Sequence, residues 1–82
     1  MKEVQAFAVG SLVESLCGSD CNKVYIVVGY DNKGYALLVD GDRHKLASPK
    51  RKNNRHIKFA GAVARLPKTD AAVVTAIRRN KI

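Results

Sequence analysis

Apolar residues in this chain gather in short runs, separated roughly every 8–12 residues by clusters of Gly, Asn, Asp, Ser or Pro. Phe7 to Ser15 is β-compatible, with Gly10 interrupting it as a bend or bulge would. Gly18 to Asn22 is a turn cluster, and Val24 to Tyr30, rich in β-branched and aromatic residues, predicts the next strand. Asp31-Asn32-Lys33-Gly34 predicts a hairpin turn in which Asn32 or Gly34 takes positive φ. Tyr35 to Val39 follows as a strand and is closed by the turn signal Asp40-Gly41-Asp42. These last two strands are apolar on both faces, which predicts central hairpin strands covered on one side by the core and partly on the other.

Beyond Asp42 the hydrophobic signal thins. Arg43–Leu46 fits a short strand, and Ala47-Ser48-Pro49 breaks it. Lys50 to Arg55 has no apolar residue and predicts an exposed loop, while His56 to Phe59 alternates and predicts a final short strand. Gly61 to Leu66 fits no single element. From Pro67 a helix is predicted, capped by Thr69 or Asp70, with Val73, Val74 and Ile77 as its apolar stripe. Arg78 and Arg79 complement its negative end. About three turns are too few to persist alone, so the helix is expected to pack back on the sheet through Ile77. The pattern predicts an all-β fold, a small partly open barrel over about residues 7–60 with a short C-terminal helix over about 69–79. The 82 residues make a single domain, 1–82, whose thin core leaves no space for a deep substrate cavity.

Charge sharpens the picture. The net charge is +8, but residues 1–42 carry −3 and residues 43–82 carry +11. Between Arg43 and Lys58 stand seven Lys or Arg, two His and no acid. Ordinary solvated surfaces mix the two signs, so a segment this one-sided points to a polyanionic partner. The longest apolar run, Val24 to Val28, is far short of the roughly 20 residues that span a membrane. Glu3 and Gln5 stand where a signal peptide would carry its apolar stretch, and the expected compartment is the cytoplasm.

Candidate chemistry is sparse. Cys17 and Cys21 are separated by three residues, but His44 and His56 are too far downstream and too far apart for the second tight pair of a zinc site. Two free thiols are the expectation, with no disulfide, no metal and no cofactor. No phosphate-binding glycine loop and no nucleophile elbow is present, so no enzyme is expected.

Residues 10–29, from Gly10-Ser-Leu-Val to Tyr25-Ile-Val-Val-Gly29, resemble a KOW motif. Gly10, Val13, Gly18, Asp20, Lys23, Val27 and Val28 stand in matching positions. The stretches Val39-Asp40-Gly41-Asp42-Arg43-His44-Lys45-Leu46 and Pro49-Lys50-Arg51-Lys52-Asn53 extend the match over about residues 8–58. The chain is similar to bacterial KOW-domain RNA-binding proteins related to eukaryotic-type large-subunit ribosomal proteins. That resemblance implies an SH3-like barrel and a structured RNA partner, ribosomal RNA in particular. In the motif's loop Asn22 replaces the usual Gly, and Leu16, Ser19 and Cys21 occupy positions often basic in the group, so Lys23 is the loop's one cation.

The RNA surface is therefore expected at Lys23 and, chiefly, along Arg43, His44, Lys45, Lys50, Arg51, Lys52, Asn53, Asn54, Arg55, His56 and Lys58. Lys and Arg there neutralise phosphates and release counterions. Arg51 and Arg55 can grip phosphate bidentately or stack on an unpaired base. Asn53 and Asn54 can reach base edges or simply make the turn, and the two His add hydrogen bonds beside phosphates. Tyr25, Tyr30 and Tyr35 are assigned to sheet packing rather than base stacking. The expected function is a monomeric, non-enzymatic RNA-binding module, ribosome-associated and without a membrane partner. The alternative is a protein-interaction KOW module docking on ribosomal proteins or the transcription machinery.

Overall fold

The computed structural model describes residues 7–16 and 23–80. The turn cluster with Asn22, and both Cys17 and Cys21, lie outside the described residues. Among the described residues five antiparallel strands form one sheet: β1 (Ser11–Ser15), β2 (Val24–Tyr30), β3 (Ala36–Val39), β4 (Lys50–Lys52) and β5 (Ile57–Ala62). Their order is β4-β3-β2-β1-β5, and α1 (Asp70–Asn80) follows.

Each face of the sheet carries its own apolar cluster, as two-sided apolar strands require. Val13, Tyr25, Val27, Ala36, Leu38 and Ile57 form one, with Phe7 and Tyr30 against it. The Tyr30 hydroxyl donates to the Phe7 carbonyl (2.7 Å) and accepts from the Phe7 N–H (2.8 Å), fixing the chain ahead of β1. Leu12, Ile26 and Val39 form the second cluster together with Val73 of α1. The helix thus docks chiefly through Val73, which is fully buried, whereas Ile77 is only half-buried beside it. Thr69 caps α1, its hydroxyl accepting from the Ala72 N–H at 3.1 Å.

The hairpin turn forms as predicted, with Gly34 at φ +89° and the Asp31 carboxylate accepting from the Lys33 and Tyr35 N–H groups. Arg43–Leu46 does not form a strand. The Asp40 carboxylate takes the Asp42 and His44 N–H groups, and the His44 carbonyl takes those of Asp40 and Gly41. Local bonds of this kind satisfy the backbone before a ladder can. Leu46 then donates its N–H to the Asp70 carboxylate at 2.8 Å, tying this turn to the start of α1.

The predicted loop over Lys50–Arg55 is also corrected. Lys50–Lys52 is β4, paired with β3 in the register Leu38↔Lys50, Leu37↔Arg51 and Ala36↔Lys52. Asn54–His56 makes one turn of 3-10 helix, which moves His56 out of the last strand. A polar strand is stable here because the ladder is made by backbone, and its two Lys residues stand opposite the buried Leu38 and Ala36 of β3. Flat, four steps of about 4.8 Å would hold the two sheet edges about 19 Å apart. Only residues 53–56 join β4 to β5, and with three in a 3-10 turn they reach about 14 Å. The sheet therefore curls, bringing its edges toward each other.

Candidate nucleic-acid interface

The basic residues from Arg43 to Lys58 are distributed over four places. Arg43, His44 and Lys45 sit in the turn after β3, with Arg43 and Lys45 exposed. The His44 ring tilts against Tyr25 at 6.0 Å between centroids, and Lys50 Nζ lies 6.0 Å from the same ring. Tyr25 is otherwise buried, so it links this turn to β4 from within the core.

On the opposite face of β4, Arg51 projects beside the hairpin. Its guanidinium carbon is 5.0 Å from the Tyr35 centroid, and Nη1 is 3.5 Å from Asp31 Oδ2. Partial burial pushes the Asp31 carboxyl up. The backbone N–H groups of Tyr35 and Lys33 and the Arg51 guanidinium outweigh that and hold it below its ordinary range. Arg51 stays exposed in this arrangement, with its guanidinium between the Tyr35 ring and the Asp31 carboxylate.

Asn53 and Asn54 first serve the turn. Asn53 Oδ1 accepts from the Arg55 N–H at 2.9 Å, and Asn54 Nδ2 donates to the Gly34 carbonyl at 3.2 Å. Asn54 Oδ1 is buried without a hydrogen-bond partner. Between these two Asn residues and Lys33, Gly34, Tyr35 and Arg55 lies a notch of about 150 Å³. Lys33 and Arg55 are both exposed at its edges, and no acid lines it. Phosphate or a base edge can approach two cations and a fixed aromatic here.

Two expected site residues lie elsewhere. Lys58 is on β5, at the other edge of the sheet, where its ammonium is 3.3 Å from Glu14. Lys23 lines a separate hollow beside Asp40, Asp42 and Arg78. Both cations are therefore partly offset by acids. His56 is exposed in the 3-10 turn.

Phe59, which sequence reasoning assigned to a strand without a site role, is 61% exposed and directly follows Lys58. An exposed aromatic ring on an edge strand is the kind of surface on which unpaired bases stack. No sequence signal separated it from a packed strand residue. Its exposure follows from its place on an edge strand, just before the register shift in the β1–β5 ladder.

Among the described residues no group of three or more His, Cys, Asp or Glu is placed to hold a metal ion. No helix among them is long and apolar enough to cross a membrane. Comparison with protein-family models gives no match, and comparison with curated proteins gives none either.

Proposed function

We propose that this chain is a non-enzymatic RNA-binding module of the KOW type, an SH3-like barrel that engages structured RNA, ribosomal RNA in particular. The observation that carries the reading is the acid-free basic segment from Arg43 to Arg55. It is displayed on one turn, one edge strand and a 3-10 turn, with the Arg51 guanidinium over Tyr35. The link of only four residues between the two edge strands supports the barrel. Cations supply sequence-independent affinity through counterion release, and the notch beside Tyr35 with exposed Phe59 supplies contacts suited to unpaired bases.

The test compares two charge reversals of equal size. Arg43, Lys45 and Arg55 are exposed members of the basic segment, whereas Arg65, Lys68 and Arg79 are exposed and lie outside it. Changing the first three to Glu lowers affinity for a structured ribosomal RNA fragment at least tenfold. It also flattens the log–log salt slope by roughly 0.7–0.9 per lost contact. Reversing the second three changes binding far less. Equal losses from both triples would mean that affinity follows net charge alone, and the localised surface would be abandoned. Salt-resistant binding to ribosomal or transcription proteins, with no retention on RNA, would favour protein docking instead.

A further inference from the structure

A second surface lies away from the basic segment. Between the irregular chain after β5 and one side of α1 runs an open groove of about 920 Å³. Its helix wall is Ala72, Thr75, Ala76 and Arg79, an i, i+3, i+4, i+7 stripe. The stripe meets the docking side at Ala76, which also packs against the Val73 cluster, while Ala72, Thr75 and Arg79 are exposed. Small side chains leave that wall open, and Val63, Leu66 and Pro67 form much of the facing side. Leu66 is 43% exposed although it is a large aliphatic residue. The rim carries Arg65, Lys68 and Arg79 and no acid.

We infer that this groove docks an acidic, aliphatic peptide segment of a partner protein. Three cations around an aliphatic floor are complementary to Asp or Glu side chains flanking Leu, Ile or Val. The same lining argues against RNA as the occupant. It has no aromatic ring on which a base could stack, and the Thr75 hydroxyl already donates to the Ala71 carbonyl at 3.1 Å. A second copy of the chain is disfavoured by charge: each copy carries +8. Its described acids are also committed, with Glu14 on Lys58, Asp31 on Arg51, and Asp40 and Asp70 on backbone N–H groups; only Asp42 stays exposed. A bilayer is met by an amphipathic helix lying in its surface rather than by a concave groove. The volume is near the upper end of the roughly 300–1,000 Å³ of ligand pockets, large enough for several side chains.

This inference does not depend on RNA binding, and its test is read separately. The full chain is panned against a displayed library of random dodecapeptides, and the most enriched peptide is synthesised. Enriched sequences combine acidic with aliphatic residues, and the peptide shifts the backbone NMR resonances of residues 62–68 and 72–79. Ala72→Glu places a carboxylate on the exposed helix wall with little change in helix propensity. It weakens the peptide at least tenfold with an unchanged melting temperature. Ala64→Glu, on the facing chain, does the same should the helix variant melt early. Structured RNA does not displace the peptide. The inference is overturned by failure to enrich any peptide, by enriched peptides without acids, or by shifts confined to residues 43–58. It is equally overturned by a folded Ala72→Glu variant that binds unchanged. Binding of anionic vesicles at the groove, or concentration-dependent self-association blocked by Ala72→Glu, assigns it to another occupant.

Discussion

Arg51 lies over the ring of Tyr35, 5.0 Å from its centroid, while its guanidinium reaches Asp31 at 3.5 Å. The register dictates the contact. Arg51 stands opposite Leu37, so Tyr35, two residues earlier on the same side of the chain, is its diagonal neighbour. A residue that looks like one more solvated cation has its guanidinium over an aromatic ring and beside a carboxylate. Part of the ordering that RNA contact would otherwise demand is already done.

Arg51→Lys separates charge from shape. Lysine keeps the positive charge but loses the planar fork that stacks and binds bidentately. Affinity for structured RNA falls several-fold, while the salt slope stays at the wild-type value. Fluorescence anisotropy at several salt concentrations measures both. Equal affinity for the two proteins would reduce Arg51 to a point charge.

Asp31 makes the hairpin sensitive to acid. Its folded-state carboxyl is held below the ordinary value, so its contribution is present above the unfolded-state value and is lost as pH falls through the folded one. Asp31→Asn therefore melts below the wild type at neutral pH, and the gap narrows as pH drops beneath the usual carboxylate range. A gap that stays constant from neutral pH to below that range would remove the carboxylate from the account.

Much of the fold was legible for plain reasons. Val24–Tyr30 is apolar on both faces, and the observed strand has the predicted ends. Thr69 announces α1, whose cap is in place. β4 was not legible because hydrophobic periodicity cannot detect a strand whose side chains are Lys, Arg and Lys. The error at Arg43–Leu46 has the opposite origin: a strand-compatible run is pulled into turns by the Asp40 carboxylate. At the candidate site the charge was visible in the sequence. The pairing of Arg51 with Tyr35 and the exposure of Phe59 were not, because both depend on register. The groove along α1 was equally hidden, since residues 63–69 form no regular element.

Gly41 marks where the turn after β3 meets α1. Its φ is +79°, and a Cβ there would run into the Asp70 carbonyl oxygen and come within 2.8 Å of Val74 Cγ2. Gly41→Ala therefore strains the backbone and pushes the helix off Val39 and Ile26, at about 3 kcal/mol. Gly29→Ala is the comparison, because its nearest described neighbour would be Leu37 Cδ1 at 3.9 Å. That change stays within about 1 kcal/mol. Denaturant melts that give the two variants the same stability would show that the turn and helix are not in close contact.

Phe59 tests whether the proposed RNA surface would read more than a string of phosphates. The ring is 61% exposed on an edge strand, so its removal leaves little packing to lose. Phe59→Ala changes stability by no more than about 0.5 kcal/mol. If an unpaired base stacks on the ring, affinity for RNA containing single-stranded loops falls by about 1–3 kcal/mol. Affinity for a fully paired duplex, whose bases cannot reach the ring, stays the same. Leu66→Ala, another exposed apolar residue on a different surface, leaves both affinities unchanged. An equal loss on loop and duplex would point to a general change in the protein, and no loss on either would remove Phe59 from the interface.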